Sequence, residues 1–424
     1  MAAHPLDINP NVIEDLTADE GDLSLWIGQQ KKYHNVPTYV SNELCQRTSV
    51  SPSVLAHLPS ESLPVLRLLD LTTPHVTESF QNVKPEDLFM FHVATHTSLE
   101  CFQLPTPSNT LLNRLHACAG QAMLDGKTSI QHWERRDVFL PFDALGTWAH
   151  ILKIDAAKKA WFRAMQWVSG CPKSIPGEYV TRIMSLLRQV PWNEYIKGLG
   201  SALTITDMAS FLSREWLSDM HIYTMLSITR RLRRDTLSGA APCIEIASPD
   251  FPSHILTSPL LAMTPIAPDY FSKAPKSVTG LGTMIANATE GIRIASIAFS
   301  PPGHWACLLI DSLAGTINWG DSAGRAVPSG FEDRLRAWLG LFIPKTQFLP
   351  LQELTCARQT DGYSCGIIAV NTLKHHLFGD DLWTSSRREI FRIQEFLDIM
   401  DFSESQRACV SIFALRSNVI CSLD

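Results

Sequence analysis

The stretch RQTDGYSCGIIAVNTLKHHL (358–377) decides how the rest of the chain is read. Cys365 sits between a loop bearing Gly362 and an apolar helix that opens at Gly366. A helix N-terminus favours negative charge, so it favours thiolate over thiol. Gly366 puts no side chain beside the sulfur, which leaves room for a substrate backbone. Six residues upstream, Gln359 carries a carboxamide on the loop leading into the thiol. With the Cys365 backbone N–H it makes a suitable pair of oxyanion donors.

Working outward, a cysteine nucleophile needs a base and a group that orients the base. PPGHWACLLID (301–311) places His304 at the entry to an apolar strand, and TINWGDSAG (316–324) places Asp321 at the end of the next. If the two runs form a hairpin, the ends bearing His304 and Asp321 are adjacent. Asp311, at the far end of the first strand beside Ser312 and Gly315, reads as a turn residue.

The flanking sequence alternates strand and helix without strict order. IRIASIAF (292–299), WACLLID (305–311) and TINWGD (316–321) predict a central, well-buried sheet. TQFLPL (346–351) reads as a further strand, and FEDRLRAWLGLF (331–342), GIIAVNTLKHHLF and RREIFRIQEFLDIM as helices. Before them, TDMASFLSREWLSDMHIYTMLSITRRL gives a short helix, a break, and an amphipathic helix from about Leu217. Residues 238–290, rich in Pro, Ser and Ala, read as loops with one or two strands or helices inserted. The fold class expected is α+β, not doubly wound.

Residues 26–195 read as mainly helical. The clearest helix is WAHILKIDAAKKAWFRAMQWVSG (148–170), ended by Gly170. EYVTRIMSLLRQV (178–190) follows, and NTLLNRLHACAGQAML (109–124) begins after an Asn109 or Thr110 cap. Residues 1–25 form an acidic tail expected to be flexible. The joint between the halves falls in 175–204, giving a second domain over 196–424.

These motifs resemble the ubiquitin-like-protein-specific (SUMO/sentrin) cysteine proteases. The match rests on His304-Trp305, Trp319-Gly320-Asp321-Ser322 and Gln359-x-Asp361-Gly362-x-x-Cys365-Gly366. Asp321 follows His304 by 17 residues and Cys365 follows Gln359 by 6, as in the family. Glu215-Trp216-Leu217-Ser218-Asp219, continuing to Ile222, resembles its Trp-Leu-Asn-Asp signature. The resemblance covers about residues 200–424. It implies a papain-like α+β domain of the adenain/SUMO-protease type, with Cys365, His304, Asp321 and Gln359 catalytic. It implies cleavage after the C-terminal diglycine of SUMO or a related modifier, with Trp216 and Trp305 flanking a narrow channel for the glycines. The modifier and its conjugates are the implied partners, and no cofactor or metal is. The sequence departs from the family at Ser218, Ser364 and Asp361, where relatives commonly carry Asn, Asp and Asn, and the particular modifier stays open. Two other readings stay open as well: an acyltransferase using the same Cys–His–Asp site, and a catalytically silent modifier-binding module.

Composition narrows the setting. A formal net charge of −6 gives no basic field for nucleic acid or acidic membrane. The ten cysteines contain no CxxC pair and read as reduced thiols of the nucleus or cytoplasm. No signal peptide or apolar run of spanning length is read, so a soluble protein is expected. His92 and His96 lack the glutamate of a zinc-binding HExxH pattern. Arg230, Arg231, Arg233 and Arg234 read as a solvated helix end, and His375-His376 as a helix C-terminus.

Overall fold

The structure is a computed structural model. It describes residues 23–29, 31–77, 83–171, 175–200, 202–233, 243–262 and 270–420, with side chains as far as residue 407. The expected acidic tail before Leu23 and the end of the basic run at Arg234 lie outside the described residues. The chain divides into two compact units, Met1–Lys159 and Ala160–Asp424. Residues 160–195, read from sequence with the helical region, thus group with the sheet-bearing unit. No helix among the described residues is long and apolar enough to cross a membrane.

The first unit contains α1 (Thr38–Arg47), β1 (Phe89–Met90), α2 (Asn109–Leu124), β2 (Ser129–Gln131), β3 (Phe139–Leu140) and the start of α3 (Ala144–Gly170). Its helical character is as read, but three short strands form an antiparallel sheet in the order β1-β2-β3 that the sequence analysis did not find. Strands of two or three residues carry no periodicity to read. The cap of α2 is Ser108, not Asn109 or Thr110; its hydroxyl accepts the Leu111 N–H at 3.3 Å. Leu111, Leu115, Ala119 and Ala122 recur at helical spacing and are buried. They join a core in which Trp133 and Trp148 meet edge to face at 5.5 Å.

The second unit adds α4 (Gly177–Leu187), α5 (Asp219–Leu232), β4 (Cys243–Ile246), α6 (Asp250–Thr257), α7 (Lys276–Asn287), β5 (Ile292–Ser300), β6 (His304–Asp311), β7 (Thr316–Gly320), α8 (Phe331–Phe342), β8 (Gln352–Glu353), α9 (Cys365–Phe378) and α10 (Arg388–Ile420). The sheet runs β4-β5-β6-β7-β8, with β5, β6 and β7 antiparallel and the edge strands parallel to their neighbours. Mixed strands and helices make this the expected α+β fold. One sheet face, bearing Ile294, Leu308, Ile310 and Ile317, is covered by Phe251, Leu281, Leu335 and Trp338 of α6, α7 and α8. On the other face α9 packs against β6 and β5. Burial on both faces explains why β6 reads as continuously apolar.

Two expectations are corrected. Residues 346–351 are not a strand: Arg336 takes the carbonyls of Phe348 and Leu349, and the Leu351 N–H goes to Glu332, so the pairing groups are spent. Within 238–290, the described residues hold strand β4, helices α6 and α7 and a helical turn at Tyr270–Lys273, more structure than expected. Asp311 is the turn residue expected, its Oδ1 accepting the N–H groups of Leu313 and Ala314 at 3.0 and 2.9 Å.

Trp338 is fully buried and meets Phe251 at 4.8 Å between ring centroids. Trp338→Ala is expected to destabilise the second unit by about 3–5 kcal/mol, the usual cost of emptying such a site. Urea unfolding measures it; a loss under about 1 kcal/mol would show that the ring does not close this core.

Candidate active site

The loop before α9 is shaped by Asp361. Its Oδ1 accepts the N–H groups of Tyr363 and Ser364 at 3.0 and 2.8 Å, and its Oδ2 accepts the Ser364 hydroxyl at 2.8 Å. That turn delivers Cys365 as the first residue of α9, with Ser364 as N-cap. The residue is only 1% exposed. Burial opposes ionisation of the thiol, but hydrogen bonds with His304, the Trp305 backbone and the Trp216 indole outweigh it, and the net shift is downward. Cys101, Cys118, Cys171, Cys307 and Cys356 are all shifted upward, with burial the largest cause each time. Cys365 is therefore distinguished by its donors.

His304 reaches the sulfur because β5 and β6 form a hairpin closed by Pro301, Pro302 and Gly303, with Ser300 opposite His304. Gly303 has φ +58°, a left-handed turn position that glycine fills without strain. Cys307 pairs with Gly320, which sets Asp321, one residue on, beside the strand end that carries His304. His304 Nε2 and Asp321 Oδ1 are 2.9 Å apart, both side chains almost fully buried. Nε2 being taken, Nδ1 is the ring nitrogen left for Cys365. Burial disfavours the imidazolium, but Asp321 and Cys365 together raise its pKa to about 9. For Asp321, burial works upward and is overcome by His304 and the Ala323 and Arg325 backbone, so its carboxyl lies below the usual range.

Gln359 is joined to this group indirectly. Its backbone N–H donates to the Ser322 carbonyl at 3.0 Å, its Oε1 accepts the Ser322 hydroxyl at 2.9 Å, and its Nε2 donates to the Asp361 carbonyl at 2.9 Å. The second Nε2 proton has no acceptor of its own among the described residues. The side chain thus ties the loop after β7 to the loop before Cys365.

Trp305 is buried, with its indole N–H donating to the Leu217 carbonyl at 3.0 Å; Trp216 is 38% exposed and donates to Cys365 Sγ at 3.2 Å. The two rings stack at 5.7 Å between centroids with planes 16° apart. A peptide between two rings needs about 7 Å, twice a normal van der Waals spacing. The expected channel is therefore closed in this structure by direct contact of its walls. The missing side chain of Gly366 has a packing role in this structure. A Cβ there would lie 2.9 Å from Ile222 Cδ1 and 3.4 Å from Trp305 Cδ1, so the glycine lets α9 approach α5 and β6.

The structure brings Cys365, His304, Asp321, Trp216 and Trp305 together, with Gln359 one link away. Three contributors escaped the sequence analysis. Phe299 pairs across the hairpin with Trp305 and meets it edge to face at 5.0 Å; counting back from the Pro-Pro-Gly turn would have found it. With Trp216, Trp305, Ser218, Asp219, Asp250 and their neighbours it lines a cleft of about 360 Å³. His221 holds the Trp216 segment from behind, its Nδ1 serving the Ser218 N–H and hydroxyl and its Nε2 the Asp207 carbonyl. Arg392 is the third. His92 and His96 lie elsewhere, against Phe139 and Thr95.

No protein-family profile matches the chain, and neither does any curated protein. Several solved structures are similar to it. The C-terminal Ulp1 protease domain in complex with Smt3, the yeast ortholog of SUMO, is 18% identical over 55% of this chain and 98% of its own, with a TM-score of 0.36. The Chaetomium thermophilum Ulp1-like SUMO protease catalytic domain is 18% identical over 54% of this chain and 90% of its own, with a TM-score of 0.38. The Xanthomonas campestris effector XopD bound to ubiquitin is 18% identical over 42% of this chain and 91% of its own, with a TM-score of 0.29.

With the thiol lowered and the imidazole raised to about 9, both shifts favour the thiolate–imidazolium pair over the neutral one. A raised histidine contributes stability that is complete below its unfolded value and lost as pH climbs through about 9. Asp321, shifted down, contributes stability that is lost instead as pH falls through its lowered value. Asp321→Asn is expected to slow iodoacetamide alkylation of Cys365 at pH 7 by about tenfold or more, one pKa unit being tenfold in thiolate. An unchanged rate in folded protein would break the electrostatic link between the two.

Proposed function

We propose that the chain is a thiol peptidase that cleaves after the C-terminal diglycine of SUMO or a related ubiquitin-like modifier, maturing precursors or releasing conjugates. The observation that carries the peptidase reading is His304 held at 2.9 Å by Asp321 on one side and electrostatically coupled to a downshifted Cys365 on the other. The substrate class is supported by the resemblance of the four motifs and by the aromatic cleft of Trp216, Phe299 and Trp305 beside the sulfur. Flat aromatic walls admit glycine and resist residues with a Cβ. Entry requires Trp216, the exposed member of the stacked pair, to move off Trp305.

In the reaction, the Cys365 thiolate attacks the carbonyl carbon of the terminal glycine. The Cys365 backbone N–H and the Gln359 carboxamide hold the oxyanion. His304 gives its proton to the leaving amine as the C–N bond breaks, leaving a thioester. It then takes a proton from water, which attacks the thioester and releases the glycyl carboxylate and the thiol. Asp321 keeps the ring oriented and stabilises the imidazolium.

The test is covalent trapping by the full chain, wild type and Cys365→Ala, with SUMO, NEDD8 and ubiquitin carrying C-terminal electrophiles. A Cys365-dependent adduct with at least one is expected; folded protein that labels with none would sink the modifier reading. On the modifier that reacts, Gln359→Ala is expected to lower kcat by about 10²–10³, as for other oxyanion donors.

A further inference from the structure

Arg392 is 1% exposed and lies on the buried stripe of α10 with Ile393, Phe396, Ile399 and Met400. Its Nε donates to the Phe211 carbonyl at 3.0 Å, and its Nη2 to the carbonyls of Ser210 and Glu215 at 2.5 and 3.0 Å. Among the described residues no carboxylate pairs with it, and its Nη1 is buried without a partner. Its guanidinium carbon lies 5.6 Å from the centre of the Tyr363 ring, within cation–π range.

Those contacts fall on two segments, the 3-10 helix Asp207–Leu212 with the turn that follows it, and the loop before Cys365. Ser210, Phe211 and Glu215 bracket the turn that ends at Trp216, and Tyr363 belongs to the turn that delivers Cys365. A buried cation satisfied mainly by carbonyls is costly, and an apolar side chain of similar volume would fill the space more cheaply. Lysine would keep the charge, but its single ammonium lacks the planar fork that reaches divergent carbonyls while facing a ring.

We infer that Arg392 is a positioning residue, fixing the Trp216 segment against the Cys365 loop so that the indole N–H donates to the sulfur. It acts on the thiol through Trp216 and touches no reacting atom. The inference deepens the peptidase reading and rests on it, but its readout is thiol chemistry and needs no modifier.

The test is a double-mutant cycle in the full chain, with Arg392→Lys and Trp216→Phe, read as the pH profile of iodoacetamide alkylation of Cys365. Arg392→Lys alone is expected to slow alkylation at pH 7 about tenfold, the scale of one lost hydrogen bond to an anion, and to move the midpoint upward. In the Trp216→Phe background it is expected to change the rate by less than about twofold, because the bond it protects is already gone. Equal slowing in both backgrounds, or no slowing in folded protein, overturns the inference, since a merely structural loss would ignore Trp216. Should Arg392→Lys not fold, Tyr363→Leu carries the same cycle. It removes only the ring face, with an expected slowing of about threefold that also vanishes in Trp216→Phe; equal slowing, or none, again overturns the inference. Failure of the trapping experiment with this coupling intact would remove the modifier reading alone, and the reverse would remove only the role of Arg392.

Discussion

Burying a thiol works against ionising it, and the second unit is organised around offsetting that penalty at one sulfur. Three donors converge on Cys365 from separate parts of the chain: the His304 ring and the Trp305 backbone on β6, and the Trp216 indole before α5. None is near Cys365 in sequence. The sheet exists, from the standpoint of this sulfur, to hold His304 and Asp321 in register, and α9 to place the thiol at a helix N-terminus against it. Cys307, buried on the same strand as His304 but without such donors, is shifted upward instead, by its burial and by Cys356. At Cys365 burial acts in the same upward direction, and the donors reverse the net shift.

The loops that deliver Cys365 and α5 are matched residue to residue by local hydrogen bonds. Here Asp361 occupies the turn, with both carboxylate oxygens engaged by residues 363 and 364. A second carboxylate at 364 would meet the first at hydrogen-bond distance, and like charges that close are unfavourable. Ser364 donates its hydroxyl to Asp361 where an aspartate would repel it. Ser218 caps α5 reciprocally with His221.

Much of this was legible in sequence, for physical reasons that differ by element. The hairpin that aligns His304 and Asp321 is written in two apolar runs and a Pro-Pro-Gly turn, and the helix after Cys365 in an unbroken apolar stretch. Strand β4 was barely legible: Ile244 and Ile246 alternate with Glu245, but four residues in a Ser- and Pro-rich stretch are too short a pattern, and pairing with β5 makes them a strand. Arg336 defeated the reading of 346–351 by taking carbonyls that the pattern assigned to a ladder, a long-range claim invisible from local residues. Arg392 left a faint signal, a charged residue at a position where helical spacing demanded an apolar one. The closed stack of Trp216 on Trp305 left none, since a motif gives residue types and not ring separations.

The two tryptophans are unequal, and the inequality bears on how a cleft of this kind can be both closed and usable. Trp305 is an anchor: it sits within a strand, is buried, and spends its N–H on the Leu217 carbonyl. Trp216 is half exposed, outside any helix or strand, and its N–H spends itself on the sulfur. Moving Trp305 would disrupt the sheet and the Gly366 contact together. Moving Trp216 costs one hydrogen bond and the aromatic contacts with Trp305 and Phe299, on the order of 2–5 kcal/mol in sum. Under the proposed function, that is small enough for a bound glycine tail to replace with its own contacts. It is also large enough to keep the sulfur covered and its thiolate stabilised when the cleft is empty. Arg392 and His221 hold the backbone on either side of Trp216, at residues 210–215 and at 218. The mobility this scheme requires is therefore confined to the side chain.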